Sequence, residues 1–108
     1  MTEQQIIETL ATKVMGWEKR DLQELDYWYH DGKVICRRGN WNPLQNKADA
    51  WMIVKKLEQE FDAVCLMKEG EEWRFYVGRY DADEYEATAP TAQEAICNVA
   101  IKAVEATE

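Results

Sequence analysis

Residues 63–78 read AVCLMKEGEEWRFYVG and contain two strand patterns on either side of a turn. Ala63 to Met67 form a short apolar run, and Glu69-Gly70-Glu71 is typical of a turn. Apolar side chains then alternate with other residues at the two-residue period of a half-buried strand, in the order Trp73, Arg74, Phe75, Tyr76, Val77 and Gly78. The segment therefore predicts an antiparallel hairpin with one face on a core.

A second hairpin is predicted nearer the N-terminus, around the dipeptide Asp31-Gly32. An Asp-Gly pair between two strand-like runs favours a tight two-residue turn. The flanking strands are residues 27–30 and 33–37. The polar, mostly charged residues 17–26 are expected to be a connection, and residues 85–88 a last short strand.

Three helices complete the pattern. The first is predicted over residues 3–15, after a capping box formed by Thr2 and Gln5. Asn46 is expected to cap the second helix and Thr91 the third. Helical spacing assigns the following residues to the apolar face of the second helix: Ala48, Trp51, Met52, Val54, Leu57 and Phe61.

The predicted element order is α-β-β-α-β-β-β-α in a single domain, residues 1–108. Three helices and a mostly antiparallel sheet predict an α+β fold, arranged as a layered αβα sandwich. Apolar residues make up 46% of the 108 residues, which is enough for one core. The composition also excludes disordered and low-complexity classes.

Charge and cysteine content restrict the partners and the compartment. The formal net charge is −8, which argues against general nucleic-acid binding because phosphate backbones repel such a chain. Cys36, Cys65 and Cys97 are odd in number and widely spaced, so neither a disulfide framework nor a zinc site is expected. Because the chain has no signal-peptide pattern and no long apolar span, we expect a cytoplasmic protein with no membrane contact and no cofactor.

The most unusual feature is the aromatic content, with five Trp and five Tyr. Trp28 and Trp41 fall at an edge and in a loop, close in sequence to Arg37, Arg38 and Asn42. Aromatic faces stack on bases and arginine forks hold phosphate, so these five residues suit a nucleotide-like ligand or a protein hot spot. The alternative is that the loop around Trp41 only closes the end of the sheet.

A second candidate surface is acidic. Asp81, Asp83, Glu84 and Glu86 place four carboxylates within six residues at a turn. They lack the Gly and the terminal Glu of an EF-hand loop, so no metal site is predicted. They are candidates for contact with a basic partner protein or for imitation of DNA phosphates, and otherwise form a solvated hairpin tip. His30, the single histidine, has no second histidine for a metal or triad motif.

Three segments resemble the phage ABA sandwich domain family, whose members are small proteins of phages and prophages. They are ATKVMGW at 11–17, WNP at 41–43 with ADAW at 48–51 followed by Val54 and Leu57, and APTAQEAIC at 89–97 continuing through Ala100, Lys102 and Ala103. The resemblance spans nearly the whole chain and implies an αβα layered fold and a phage or prophage origin. It implies no catalytic residue, because no established activity of the family carries over.

The sequence contains no glycine-rich phosphate loop, G-x-S-x-G, H-E-x-x-H or zinc-deaminase pattern. We therefore expect a non-enzymatic phage accessory protein of the host-cell cytoplasm, which binds a host protein and inhibits a defence system stoichiometrically. A first alternative is a sponge that sequesters a nucleotide-type immune signal through Trp28 or Trp41 and through Arg37 and Arg38. A second is a small hydrolase that uses His30 or the acidic turn. Homo-oligomerisation through the alanine-rich last helix is compatible with each.

Overall fold

The computed structural model describes residues 1–107 and has an α+β fold, as predicted. The helices are α1 (Glu3–Thr9), which continues as a π-helix (Leu10–Val14), α2 (Lys47–Glu60) and α3 (Ala92–Thr107), with a 3-10 turn at Arg38–Asn40. The strands are β1 (Glu18–Leu22), β2 (Leu25–His30), β3 (Lys33–Arg37), β4 (Ala63–Glu69), β5 (Glu72–Gly78) and β6 (Glu84–Ala89). They form two antiparallel sheets, the first sheet with the order β1-β2-β3 and the second sheet with the order β4-β5-β6.

The second sheet contains the predicted β4–β5 hairpin and packs against α3. The hairpin turns at Gly70, whose φ of +64° is in the region that favours glycine. Phe75 and Val77 alternate inward as predicted and are fully buried. α3 lies on β5 and β6 and also contacts α2 and the π-helix, so its small residues Ala95 and Ala100 are buried within the chain. Neither α3 nor any other helix in residues 1–107 has the length and apolar character to cross a membrane.

The first sheet has one strand more than the sequence predicts. Residues 17–26, expected to be a connection, contain β1 and the start of β2. Every residue of β1 is exposed, so the segment lacks the apolar alternation that marks a half-buried strand. The turn between β1 and β2 also lacks a sequence pattern that predicts a turn. Gln23 and Glu24 have φ values of 53° and 67°, and turns with such positive φ values usually contain Asn-Gly. Backbone pairing with β2, rather than burial, therefore holds β1 in place.

The first helix begins as predicted but ends differently. The side-chain hydroxyl of Thr2 accepts a hydrogen bond from the backbone N–H of Gln5 over 3.2 Å. In return, the backbone N–H of Thr2 donates to the side-chain Oε1 of Gln5 over 2.8 Å. From Leu10 the helix widens into a π-helix, in which the N–H of Met15 donates to the carbonyl of Leu10 over 2.9 Å. Gly16 follows at a φ of +74° and turns the chain into β1.

α2 is capped as predicted but buries a different face. The Asn46 side chain accepts a backbone hydrogen bond of 3.0 Å at the start of the helix. Ala48 and Trp51 were expected in the core, yet both are exposed, Trp51 by 47%. Neighbouring residues on a helix point about 100° apart, so Trp51 cannot face the core once Ala50 and Ile53 do. The buried residues of α2 are Ala50, Ile53, Val54 and Leu57.

Candidate functional site

Three tryptophans from different segments form one buried cluster where the first sheet meets the helices. Trp17 follows the π-helix, Trp28 is central in β2, and Trp41 follows the 3-10 turn. The ring centroid of Trp17 lies 4.8 Å from that of Trp41 and 6.4 Å from that of Trp28, which are ordinary separations for aromatic pairs. All three side chains are buried. This tryptophan cluster joins the first sheet to the core.

Burial determines what Trp28 and Trp41, the predicted stacking residues, can contact. Their side chains are 1% and 2% exposed, so neither ring presents a face to solvent. Their indole Nε1 atoms are buried and have no hydrogen-bond partner among the described residues. This packing favours the alternative interpretation of the pattern, in which the loop around Trp41 closes the end of the sheet.

Arg38 forms a charge cluster with two aspartates of the first sheet. Asp21 and Asp26 are direct cross-strand neighbours, a position in which two like charges repel each other. The guanidinium of Arg38 lies 3.1 Å from Asp26 and 3.5 Å from Asp21, and it also lies 6.0 Å from the ring of Trp28. Arg38 therefore neutralises carboxylates of its own chain, which weakens its attraction for a phosphate.

Arg37 and Asn42, the other predicted ligand residues, have different surroundings. Asn42 joins its loop to two helices, because its backbone N–H donates to Asp49 over 2.9 Å and its side-chain amide donates to Glu3 over 2.9 Å. Arg37 alone of the five predicted residues is exposed. It lines an open polar groove of about 330 Å³, whose wall also includes Asp26.

The acidic residues lie in the connection between β5 and β6 and at the start of β6. Arg79 lies 3.4 Å from Asp83, and Arg74 lies 3.6 Å from Glu86, so two of the four carboxylates are paired within the chain. Desolvation of its hydroxyl, followed by the charge and hydrogen bond of a neighbouring glutamate, raises the pKa of Tyr76. The four predicted acidic residues, all exposed, are Asp81, Asp83, Glu84 and Glu86.

The contacts of His30 and the burial of two cysteines suit structural roles. His30 Nδ1 lies 3.2 Å from the carbonyl oxygen of Gly16, and its Nε2 lies 3.7 Å from Asp31, so the ring links the β2–β3 turn to the end of the first helix. Burial raises the pKa of the Cys97 thiol to about 12 and also raises the pKa of the Cys36 thiol, which keeps both protonated at neutral pH. Among residues 1–107, no group of three His, Cys, Asp or Glu side chains is placed to hold a metal ion.

The first sheet also presents an apolar surface to solvent, which the sequence did not predict. Trp28 points from β2 into the core. The residues on either side of it in β2, together with their cross-strand partners in β1 and β3, lie on the opposite face of the sheet. A β-bulge between β2 and β3 leaves both Val34 and Ile35 exposed on this side. The four aliphatic side chains of the set are between 37% and 46% exposed. This outer face consists of Glu18, Arg20, Leu22, Leu25, Tyr27, Tyr29, Val34, Ile35 and Arg37.

Residues 8–101 match the sequence profile of the phage ABA sandwich domain. The chain belongs to the phage ABA sandwich domain family. The match includes the segment around Trp41 and most of α3, and it confirms the resemblance suggested by those segments. Neither the comparison with curated proteins nor that with solved structures gives a match.

The outer face of this phage ABA sandwich domain depends on β1, which the sequence pattern did not reveal. Leu22 and Leu25 are direct partners across the β1–β2 turn, and Tyr27 and Tyr29 continue the same alternate positions. If β1 is treated as a connection, these apolar side chains have no partner strand and no common face. Because the turn residues Gln23 and Glu24 carry no turn pattern, no local signal in the sequence marks this surface.

Proposed function

We propose that this phage protein binds a host protein stoichiometrically and thereby inhibits a host defence system. The outer face of the first sheet carries the proposal. Soluble proteins rarely expose large contiguous apolar patches, and such patches commonly mark binding sites. Here four aliphatic side chains and two tyrosines share one face across three strands.

The outer face has the composition of a protein interface. Arg20 lies 4.7 Å from the ring centroid of Tyr29, and Tyr27 is the cross-strand partner of Arg37. Tyr and Arg are the residue types that recur in binding hot spots. Covering the exposed part of each aliphatic side chain would contribute about 1 kcal/mol, so the four together supply a useful part of a binding free energy.

The acidic residues between β5 and β6 suit a second role in binding the host protein, which is to attract it before contact. Asp81 and Glu84 are exposed, and the whole chain carries a net charge of −8. A charge of this size attracts a basic partner over distances longer than a contact, and it mainly accelerates association. Phage origin supports a host protein as the partner, because phage proteins are made inside the host cell and meet host proteins there.

The two alternatives have weaker support. For a nucleotide sponge, the rings of Trp28 and Trp41 are buried and Arg38 already contacts two carboxylates. For a hydrolase, His30 lies in the first sheet whereas the acidic residues lie in the second. Native mass spectrometry of freshly purified protein separates these cases, because a retained mass in the nucleotide range would favour the sponge.

A matched pair of variants tests the outer face. Val34→Glu places a charge on the β3 part of this face, and Met67→Glu makes a similar change at an equally exposed strand position of the second sheet. Met67 is 42% exposed and Val34 46%. The protein captured from host lysate by the wild-type chain would be purified and titrated calorimetrically. We expect saturation at a fixed whole-number ratio, at least about tenfold weaker binding for Val34→Glu, and an unchanged affinity for Met67→Glu. Equal affinities for the two variants would refute the assignment of this face.

The acidic segment has its own test. The double variant Asp83→Lys, Glu84→Lys should slow association with the same host protein and reduce the dependence of the association rate on salt, while the dissociation rate changes little. Stopped-flow kinetics at two ionic strengths measure both rates. An unchanged association rate would remove this segment from the encounter without affecting the outer face.

A further inference from the structure

A small apolar cavity lies between α2, α3 and the second sheet, away from the outer face. Its volume is about 180 Å³. Trp51 of α2 and Trp73 of β5 contribute to its walls, with Leu66 and Ile96 completing the apolar part. Trp51 is 47% exposed, although the sequence pattern assigned it to the core. The cavity therefore has two aromatic walls, one of which, the indole of Trp51, remains half exposed.

A wall of the cavity also holds an unused hydrogen-bond acceptor. Gln93, in the first turn of α3, lines the cavity, and its Oε1 atom is buried without a partner among the described residues. The side chain as a whole is only partly buried, so a change of rotamer can turn this atom toward the cavity. A buried acceptor that is left unpaired is costly, so a ligand that supplies a donor gains more there than at an exposed site. The acceptor therefore favours an N–H or O–H group on whatever occupies the cavity.

The rim of the cavity is positively charged. Lys47 lines it, and Nζ of Lys68 lies 5.9 Å from the ring centroid of Trp73. The first residues of α2 and α3, Lys47 and Ala92, both lie on the rim, and the N-terminal ends of helices carry partial positive charge. None of the described residues that line the cavity is acidic. This charge favours an acidic substituent over a basic one.

We infer that this cavity binds a small planar aromatic heterocycle that carries an N–H donor and an acidic substituent. The two indole walls favour a flat ring that stacks on them. The Oε1 atom of Gln93 favours a ligand N–H donor, and the charge of Lys47 favours an acidic group. Cavities for drug-sized ligands are about 300–1,000 Å³. A cavity of about 180 Å³ therefore holds a single fused ring system and excludes a dinucleotide. The inference is independent of the proposed function, because the outer face contributes no residue to the cavity.

Three probes separate the parts of this inference in an NMR titration of the ¹⁵N-labelled full chain. Indole-3-acetate has both the N–H group and the acid, 1-methylindole-3-acetate lacks the N–H group, and tryptamine has a base in place of the acid. We expect indole-3-acetate to produce saturable shifts of the indole N–H signals of Trp51 and Trp73. The methylated probe should bind roughly threefold to tenfold more weakly, which corresponds to one hydrogen bond. Tryptamine should bind more weakly than indole-3-acetate.

Variants then connect binding to the cavity. Gln93→Leu removes the acceptor and should abolish the difference between the two indole acids. Ala92→Leu fills the cavity and should prevent binding, whereas Ala106→Leu makes the same change at an exposed position of the same helix and should not. The inference is overturned if Trp51 and Trp73 show no saturable shift up to the solubility limit of indole-3-acetate. Equal affinity of the wild-type chain for the two indole acids, or for tryptamine, would also overturn it.

Discussion

Trp28 is the side chain whose truncation should cost the most stability. In the three described strands of the first sheet, it is the one residue that is buried, and it is 1% exposed. The attachment of that sheet to the core therefore depends on it. Replacement of Trp28 by alanine removes the indole from its contacts with Trp17 and leaves a cavity under β2.

The expected magnitude follows from this burial. Truncation of a buried Trp or Phe to Ala costs about 3–5 kcal/mol of unfolding free energy. Because the truncation also removes the aromatic contact with Trp17, we expect a cost in the upper part of that range. We expect the free energy of unfolding to fall by about 4 kcal/mol. For a domain of this size, the melting temperature should fall by at least about 15 °C.

Urea unfolding followed by far-UV circular dichroism measures the loss, because the signal does not depend on the tryptophan that is removed. Trp51→Ala is the matched control, since the same truncation at a side chain that is 47% exposed should cost about 1 kcal/mol or less. If the two variants lose similar stability, the tryptophan cluster does not anchor the first sheet and the reasoning fails.

Three further outcomes are expected. Gln23→Asn combined with Glu24→Gly should raise the free energy of unfolding by about 1 kcal/mol in a urea titration, because both residues have positive φ; a loss of stability would contradict the turn geometry. The pKa of Cys97 is raised from 9.0 to about 12, so its contribution to stability is complete below pH 9 and is lost as the pH rises towards 12. Stability should therefore fall less steeply over that range in Cys97→Ala, and parallel pH profiles would disprove this. Arg38→Met should cost about 0.5–1 kcal/mol at low salt and less near 1 M salt, and a salt-independent cost would exclude the ion pairs as its cause.

The features of the fold that sequence predicts well are those with a local cause. The Asp31-Gly32 turn, the Asn46 cap and the alternation from Trp73 to Val77 each depend on a few neighbouring residues, and each is observed. β1 and the exposure of Trp51 depend instead on distant parts of the chain. β1 exists because β2 pairs with it, and the orientation of α2 is set by what packs on Ile53.

The candidate site shows the same limit. Sequence proximity located Trp28, Arg38 and Trp41 in one region, where the structure also places them. It did not show that the rings are buried, because their burial depends on packing against Trp17 from a distant segment. Nor did it show that Asp21 and Asp26 contact Arg38, because Asp21 lies in β1, a strand without an apolar pattern. The outer face was missed for the same reason.

β3 is an edge strand, and an edge strand with apolar side chains invites another chain to extend the sheet. The register shift opposite Trp28 and Tyr29 breaks the regular spacing of its backbone N–H and C=O groups near Val34 and Ile35. An incoming strand therefore cannot continue the ladder in register past that point. A partner that approaches the β3 edge has to recognise it through its side chains, and this irregular edge limits the growth of copies into fibres through β3.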